Sequence, residues 1–246
     1  MSGTSSHNRP VAVFDFDKTL IDSDVAYHFL NTAIKASKVR RMVVGMLTPV
    51  LLPFFLIRPT RIIAMSMMMW IATFPIQGKT PRNVFGSFAP RVWSPPINAR
   101  FYDEGLNALA AHRRLGHRLL IISGSPQELV RQVAQPVLEG DIEIIGSPIA
   151  PFLGGLIYRS YCMGIGKIQL ARELGVLDNY WDYGYSDSAT DIPLLAHCRH
   201  RFLVNPDKET IKRTKAALGD RVTILKWTIT KNKTLRKGTH GDLRIP

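Results

Sequence analysis

Short apolar runs alternate with amphipathic stretches along most of the chain. Val11-Ala-Val-Phe-Asp-Phe is a β-rich run that ends in carboxylates and reads as a buried central strand. Asp103–Leu115 follows helical spacing, which predicts Leu106, Leu109, Ala110 and Leu115 inward and Gly116 as the stop. Leu119-Leu-Ile-Ile-Ser is a second buried strand; Pro126 then opens a helix through Gln127–Leu138. Ile142-Glu-Ile-Ile, Tyr180–Tyr185 and Arg201-Phe-Leu-Val are three further strand candidates. Helices over Lys167–Leu174 and Ile192–Cys198 separate the later ones. Strands alternating with helices predict an α/β fold built on a doubly wound parallel sheet, Rossmann-like, with ligands at the carboxyl ends of its strands.

The pattern divides the chain. Residues 1–10 are polar and read as a solvated, disordered leader with no secretory signal. Residues 11–24 and 95–206 form the sheet core, and 25–94 are an inserted helical segment. Residues 207–246 carry eleven Lys or Arg against four acids and read as a basic C-terminal segment with one apolar patch, Val222–Trp227. The formal net charge of +13 favours anionic partners. Cys162 and Cys198 lack metal-type spacing and read as idle thiols in a reducing compartment.

Chemistry gathers at the predicted strand ends. Asp15 and Asp17 stand two apart just past the first strand, so both can face one ligand, and such a pair needs a cation. Ser123-Gly124-Ser125 lies between the second strand and its helix, where a hydroxyl and free N–H groups suit a phosphate. Lys167 opens a helix after a glycine-rich turn and can hold a phosphate oxygen. Asp187 and Asp191 span another strand-to-helix turn and offer oxygen ligands of the kind Mg²⁺ takes. Each feature alone has a plain structural alternative: a cap, a turn or a solvated lysine.

Taken in order, the DxD, Ser, Lys and DxxxD elements resemble those of the haloacid dehalogenase-like phosphatases, most of all the phosphoserine-phosphatase-like branch, over roughly residues 11–206. Asp17 and Asp187 argue against dehalogenation itself. The resemblance implies an enzyme with a helical cap between its first two motifs. Asp15 is the expected nucleophile and Asp17 the general acid and base. Mg²⁺ is expected on Asp15, the Asp17 carbonyl and Asp187, and phosphate contacts from Ser123, Gly124 and Lys167. Asp191 is the expected support. Ser186 stands where many relatives carry glycine. Asp24 falls where relatives often place a substrate-contacting carboxylate, and it equally suits a helix N-cap.

The insertion is unusually apolar. Met42–Ile57 and Ile62–Gly78, 16 and 17 residues long, contain no charge, and basic residues flank both. Asp15 and Ser123 must meet, so a single crossing of a bilayer is excluded. Two crossings would place Arg58 and Arg61 on the far side, against the positive-inside tendency. The expectation is a monotopic association with the cytoplasmic face of the membrane. Trp70 and Trp93 are candidates for the interface, and a Met-rich cap core is the structural alternative. Leu51-Leu-Pro, Met65-Ser-Met-Met-Met-Trp70 and Gly184-Tyr-Ser-Asp187 with Asp191-Ile-Pro-Leu-Leu also resemble the phosphatidylglycerophosphatase C family. That resemblance implies an anionic phospholipid substrate at a membrane surface, with Arg58 and Arg61 as candidates for its second phosphate. No nucleic-acid partner is expected, because aromatic and basic residues do not interleave. A soluble phosphoserine-type phosphatase and a non-catalytic lipid-binding protein are the alternatives.

Overall fold

The computed structural model describes residues 9–57, 60–76, 78–135, 138, 140–177 and 179–229. Among them, β1 (Val11–Phe14), β2 (Arg118–Pro126), β3 (Ile142–Ser147), β6 (Trp181–Ser186), β7 (Cys198–Val204) and β8 (Thr223–Leu225) form one sheet. The order is β3-β2-β1-β6-β7-β8, and every adjacent pair is parallel. Side chains of α5 (Asp103–Arg114) and α6 (Gln127–Ala134) cover one face. Those of α7 (Ile165–Glu173), α8 (Ile192–Ala196) and the end of α9 (Lys208–Leu218) cover the other. The sheet is therefore doubly wound, and its order reverses between β1 and β6, where such folds open a crevice.

Val11–Phe14 is buried on both faces, which is why it reads as an unbroken apolar run. The register sets Phe14, Tyr185 and Phe202 side by side, with ring centroids 4.4 and 4.6 Å apart. Trp227 stacks on Tyr185 from outside the strands. Beneath this aromatic layer the buried His112 ring reaches the Tyr185 hydroxyl with Nε2 at 2.9 Å and His117 Nδ1 with its own Nδ1 at 2.8 Å. Burial, and then His117, lower its pKa to about 4.

Four helices lie between β1 and Pro95: α1 (Val25–Lys35), α2 (Lys38–Leu56), α3 (Arg61–Thr73) and α4 (Pro81–Val92). Phe29 of α1 meets Phe85 and Phe88 of α4 edge to face. The two apolar runs of the insertion diverge. The second becomes α3, which buries Ala64, Met69, Ile71 and Ala72. It lies along a hairpin that the sequence did not announce, β4 (Ile149–Phe152) and β5 (Gly155–Tyr158). Ser66 Oγ accepts from Tyr158 N at 3.3 Å, Thr73 Oγ1 accepts from Leu156 N at 2.8 Å, and Trp70 Nε1 donates to the Phe152 carbonyl at 3.1 Å. These three residues share one helical stripe, so a single face of α3 holds the hairpin. The first run becomes α2, of which only Leu51 is buried; Met46 is 68% and Leu56 73% exposed.

Other expectations change in detail. Ala110 and Leu115 are exposed, because the buried stripe of α5 runs through Gly105, Leu109 and His112. The helix after Pro126 ends at Ala134, short of Leu138. The segment read as a basic tail supplies α9 and the edge strand β8, so the sheet extends past residue 206. The tail after Ile229 and the leader up to Asn8 lie outside the described residues. Trp70 and Trp93 are half-buried and stack on Phe74 and Phe101; Phe74 is itself 44% exposed.

Candidate active site

The residues expected to carry chemistry converge where the sheet order reverses. Asp15 follows β1, and its N–H donates to the Tyr185 carbonyl at 2.9 Å, which fixes it beside β6. Lys18, at φ 58°, occupies the left-handed region and turns the chain so that Asp15 and Asp17 border one cleft. Lys167 arrives from the first turn of α7. That turn requires glycine: Gly164 has φ 57°, and a Cβ on Gly166 would collide with the Tyr161 carbonyl oxygen.

Lys167 Nζ is 2.6 Å from Asp15 Oδ1 and 2.6 Å from Asp191 Oδ2, and all three side chains are buried. Asp191 is held in turn by the Ser186 hydroxyl at 2.8 Å. Thr19 Oγ1 donates toward Asp15 Oδ2 and Asp187 Oδ1, each at 3.3 Å, and accepts from Asp187 N at 2.9 Å. Asp17 has a different set of partners. Its Oδ2 accepts from Ser123 Oγ at 2.8 Å and Ser125 Oγ at 2.7 Å, and its Oδ1 accepts from Val25 N at 2.8 Å.

One buried ammonium thus faces two carboxylates, Asp15 and Asp191, with Asp17 and Asp187 nearby. Burial drives the Asp15 carboxyl well above the usual range; Lys167 opposes this, and Asp191, Asp187 and Asp17 add to it. Burial and then Asp24 raise Asp17 to about 6, against the pull of Val25 N–H, Ser125 and Ser123. Burial and then Asp191 raise Asp187 to about 6, with Lys167 opposing. For Lys167, burial favours the neutral amine, but Asp15 and Asp191 outweigh it and the pKa rises. This excess of negative charge fits a divalent cation. Among the described residues no three acidic, cysteine or histidine side chains close into a cage. Asp15 and Asp187 with a backbone carbonyl and water match the sparse oxygen set that Mg²⁺ accepts.

The expected roles are redistributed in part. Gly124 and Ser125 line the cleft, whereas Ser123 is fully buried beneath it and spends its hydroxyl on Asp17. Asp24 borders the cleft and also caps α1, accepting from Tyr27 N at 2.8 Å. Arg61 stands behind the wall, its Nε donating to the Phe55 carbonyl at 3.1 Å and its Nη1 3.7 Å from Met163 Sδ. Arg58 lies outside the described residues. Thr19, Ser125 and Ser186 also belong to the site. Ser125 was singled out only as part of the Ser123-Gly124-Ser125 turn, Ser186 only as the residue in a glycine's place, and Thr19 not at all.

The haloacid dehalogenase-like hydrolase family matches residues 12–196, three quarters of the chain. The chain belongs to that family. Among characterised sequences it is 32% identical, over 114 residues, to a Mycobacterium tuberculosis protein named "Probable phosphatase", covering 44% of this chain and 38% of that one. It is 30% identical over 131 residues to the "Inhibition of morphological differentiation protein" of Streptomyces azureus, 50% of this chain and 46% of that one. The chain therefore spans less than half the length of these relatives. Among solved structures, a Bordetella pertussis protein of unknown function superposes with a TM-score of 0.63 at 20% identity, covering 87% of this chain and 98% of that one. A substrate-bound phosphoserine phosphatase superposes at 0.54 with 12% identity, covering 88% and 93%. These likenesses concern the fold. The family match makes the chain a haloacid dehalogenase-like hydrolase, and part of it is similar to a protein named as a probable phosphatase.

Proposed function

We propose that the protein hydrolyses phosphatidylglycerophosphate to phosphatidylglycerol at the surface of an anionic membrane, through an aspartyl-phosphate on Asp15. The observation that carries the lipid reading is α2. Its 19 residues bury only Leu51 and leave Met42, Met46, Val50 and Leu56 exposed; Lys38, Arg40 and Arg41 stand in its first turn and Lys35 just before it. An apolar helix with cations at its entry suits a headgroup boundary. By length and composition α2 is long and apolar enough to cross a membrane. Both its ends return to the protein through α1 and α3, so the proposed arrangement lies along one leaflet.

The chemistry follows from the site. Lys167 occupies Asp15 Oδ1 at 2.6 Å, and Oδ2, which meets only the longer 3.3 Å contact from Thr19 Oγ1, would be the attacking oxygen. As the Asp15 O–P bond forms, the bond to the leaving alcohol breaks and Asp17 delivers a proton to it. Asp17 then takes a proton from the water that attacks phosphorus, which releases phosphate and restores Asp15. A pKa of about 6 lets Asp17 serve in both directions near neutral pH. Lys167 and the Gly124–Ser125 backbone would hold the transferring oxygens. Mg²⁺ bound by Asp15, the Asp17 carbonyl and Asp187 would neutralise phosphate charge during transfer.

A soluble phosphoserine-type activity is the second reading, supported by the names of structural neighbours. Lys18 borders the cleft and would meet either the carboxylate of that substrate or the second phosphate of the lipid, so the lining charge does not separate the two readings and the substrate competition must. The test is phosphate release from phosphatidylglycerophosphate in mixed micelles with Mg²⁺, with phosphoserine as competitor, for wild type and Asp15→Asn. Faster release from the lipid, abolished in the variant, is the expected result. Release from phosphoserine alone would refute the lipid assignment.

A further inference from the structure

The cleft at Asp15 does not end at the reacting groups. A single cavity of about 610 Å³ runs from Asp15, Lys167 and Asp187 into the cap. That volume lies in the range of clefts that enclose drug-sized ligands, far above the need of a phosphate. Its inner wall is made by Leu30 and Ile34 of α1, Val44 and Phe55 of α2, and Met65 and Met68 of α3.

We infer that this inner chamber is a binding subsite for the first methylenes of an aliphatic chain carried by the leaving group. The inference rests on the lipid reading above and extends it: part of the tail leaves the bilayer and enters the cap. Continuity with the reacting end decides the occupant, because whatever fills the chamber is joined to the phosphate at Asp15. Polarity decides its chemistry, since every described side chain that α2 and α3 contribute to the wall is apolar, with Tyr27 and Asn31 of α1 the polar groups on the cap side. Leu30 and Ile34 are one turn apart, about 6 Å along α1, and form a rail toward the cleft. Within α3 the methionines divide their duties. Met69 is fully buried in the core, Met67 is exposed, and Met65 and Met68 line the chamber half-buried. Unbranched thioethers suit a wall that must fit a flexible chain.

The test uses n-alkyl phosphates from methyl to decyl, each below its micelle threshold, so that no membrane is present. Burying one methylene is worth about 0.8 kcal/mol, so kcat/KM is expected to rise roughly two- to fourfold per carbon and level off once the chain outgrows the chamber. Val44→Trp on α2 and Met65→Trp on α3 are expected to bring the plateau to shorter chains. The readout is a slope within one protein, independent of the amount of folded enzyme. Methyl and decyl phosphonate, compared by the shift in melting temperature of the wild type, repeat the comparison without turnover. A flat series, or a rise identical in both variants, would overturn the inference. Turnover of phosphatidylglycerophosphate beside a flat alkyl series would remove the chamber and leave the lipid assignment standing. A rising series without turnover of that lipid would do the reverse.

Discussion

Replacing Lys167 with methionine tests the electrostatics of the site most directly. The ammonium is 2% exposed and touches Asp15 and Asp191 at 2.6 Å each. At an effective dielectric constant of about 20, a unit charge pair at that distance attracts by about 6 kcal/mol. Desolvation of the ammonium offsets much of this, so losing it is expected to cost about 3–5 kcal/mol, the range for a broken buried pair. The cost depends on pH. In the variant the folded Asp15 holds its proton to still higher pH than in wild type, while the unfolded carboxyl releases it near 3.8. The folded state then binds the extra proton, so stability falls as pH rises toward the folded pKa. Urea unfolding followed by tryptophan fluorescence in EDTA, at steps from pH 5 to 8, measures this. The variant is expected to lose up to about 1.4 kcal/mol per pH unit more than wild type. Turnover with Mg²⁺ is expected to fall by about 10²–10³-fold or more. A loss under about 1 kcal/mol that does not vary with pH would refute the claim that Lys167 is the counter-charge of this site.

Ser125→Ala removes one of three donors to Asp17 and is expected to raise its pKa above about 6. The alkaline limb of kcat/KM should move upward by about one to two pH units, since a hydrogen bond to a charged group is worth about 1.5–3 kcal/mol; an unmoved limb would remove Ser125 from the acid–base machinery. His112 is neutral in the fold, with a pKa lowered from 6.5 to about 4. As pH falls through that window the unfolded chain gains a proton that the folded chain refuses, so stability drops by up to about 3 kcal/mol. His112→Gln should flatten this acid limb in urea titrations, and an unchanged slope would show that another group causes it.

The site was legible where chemistry coincided with strand ends. Asp15, Lys167, Asp187 and Asp191 each follow an apolar run or a glycine turn, and local pattern located them. Thr19 was not legible, and neither was the role of Ser125, because a hydroxyl's role depends on partners far away in sequence: Thr19 on Asp187, Ser125 on Asp17. Ser123 drew attention by its position, yet a hydroxyl beside a carboxylate donates to it, and only the fold put Asp17 within reach. The β4–β5 hairpin escaped because Pro151 demotes its first strand and its stability comes from α3. Strand β8, three residues at an edge, sits among basic residues that mask it. The same absence of a partner signal hid the difference between α2 and α3, two runs alike in composition. β5 covers one and leaves the other bare.

The stitching of α3 to β5 also bears on the order in which the molecule can be made. Ser66 and Tyr158 are 92 positions apart. At about 5–20 residues per second, a ribosome needs roughly 5–20 s to deliver the hairpin after α3 has emerged. Throughout that interval α2 and α3 form an apolar pair without its cover, attached to a growing chain. On the lipid reading proposed above, the first contact of α2 with a membrane would therefore precede the completion of the sheet that carries the site.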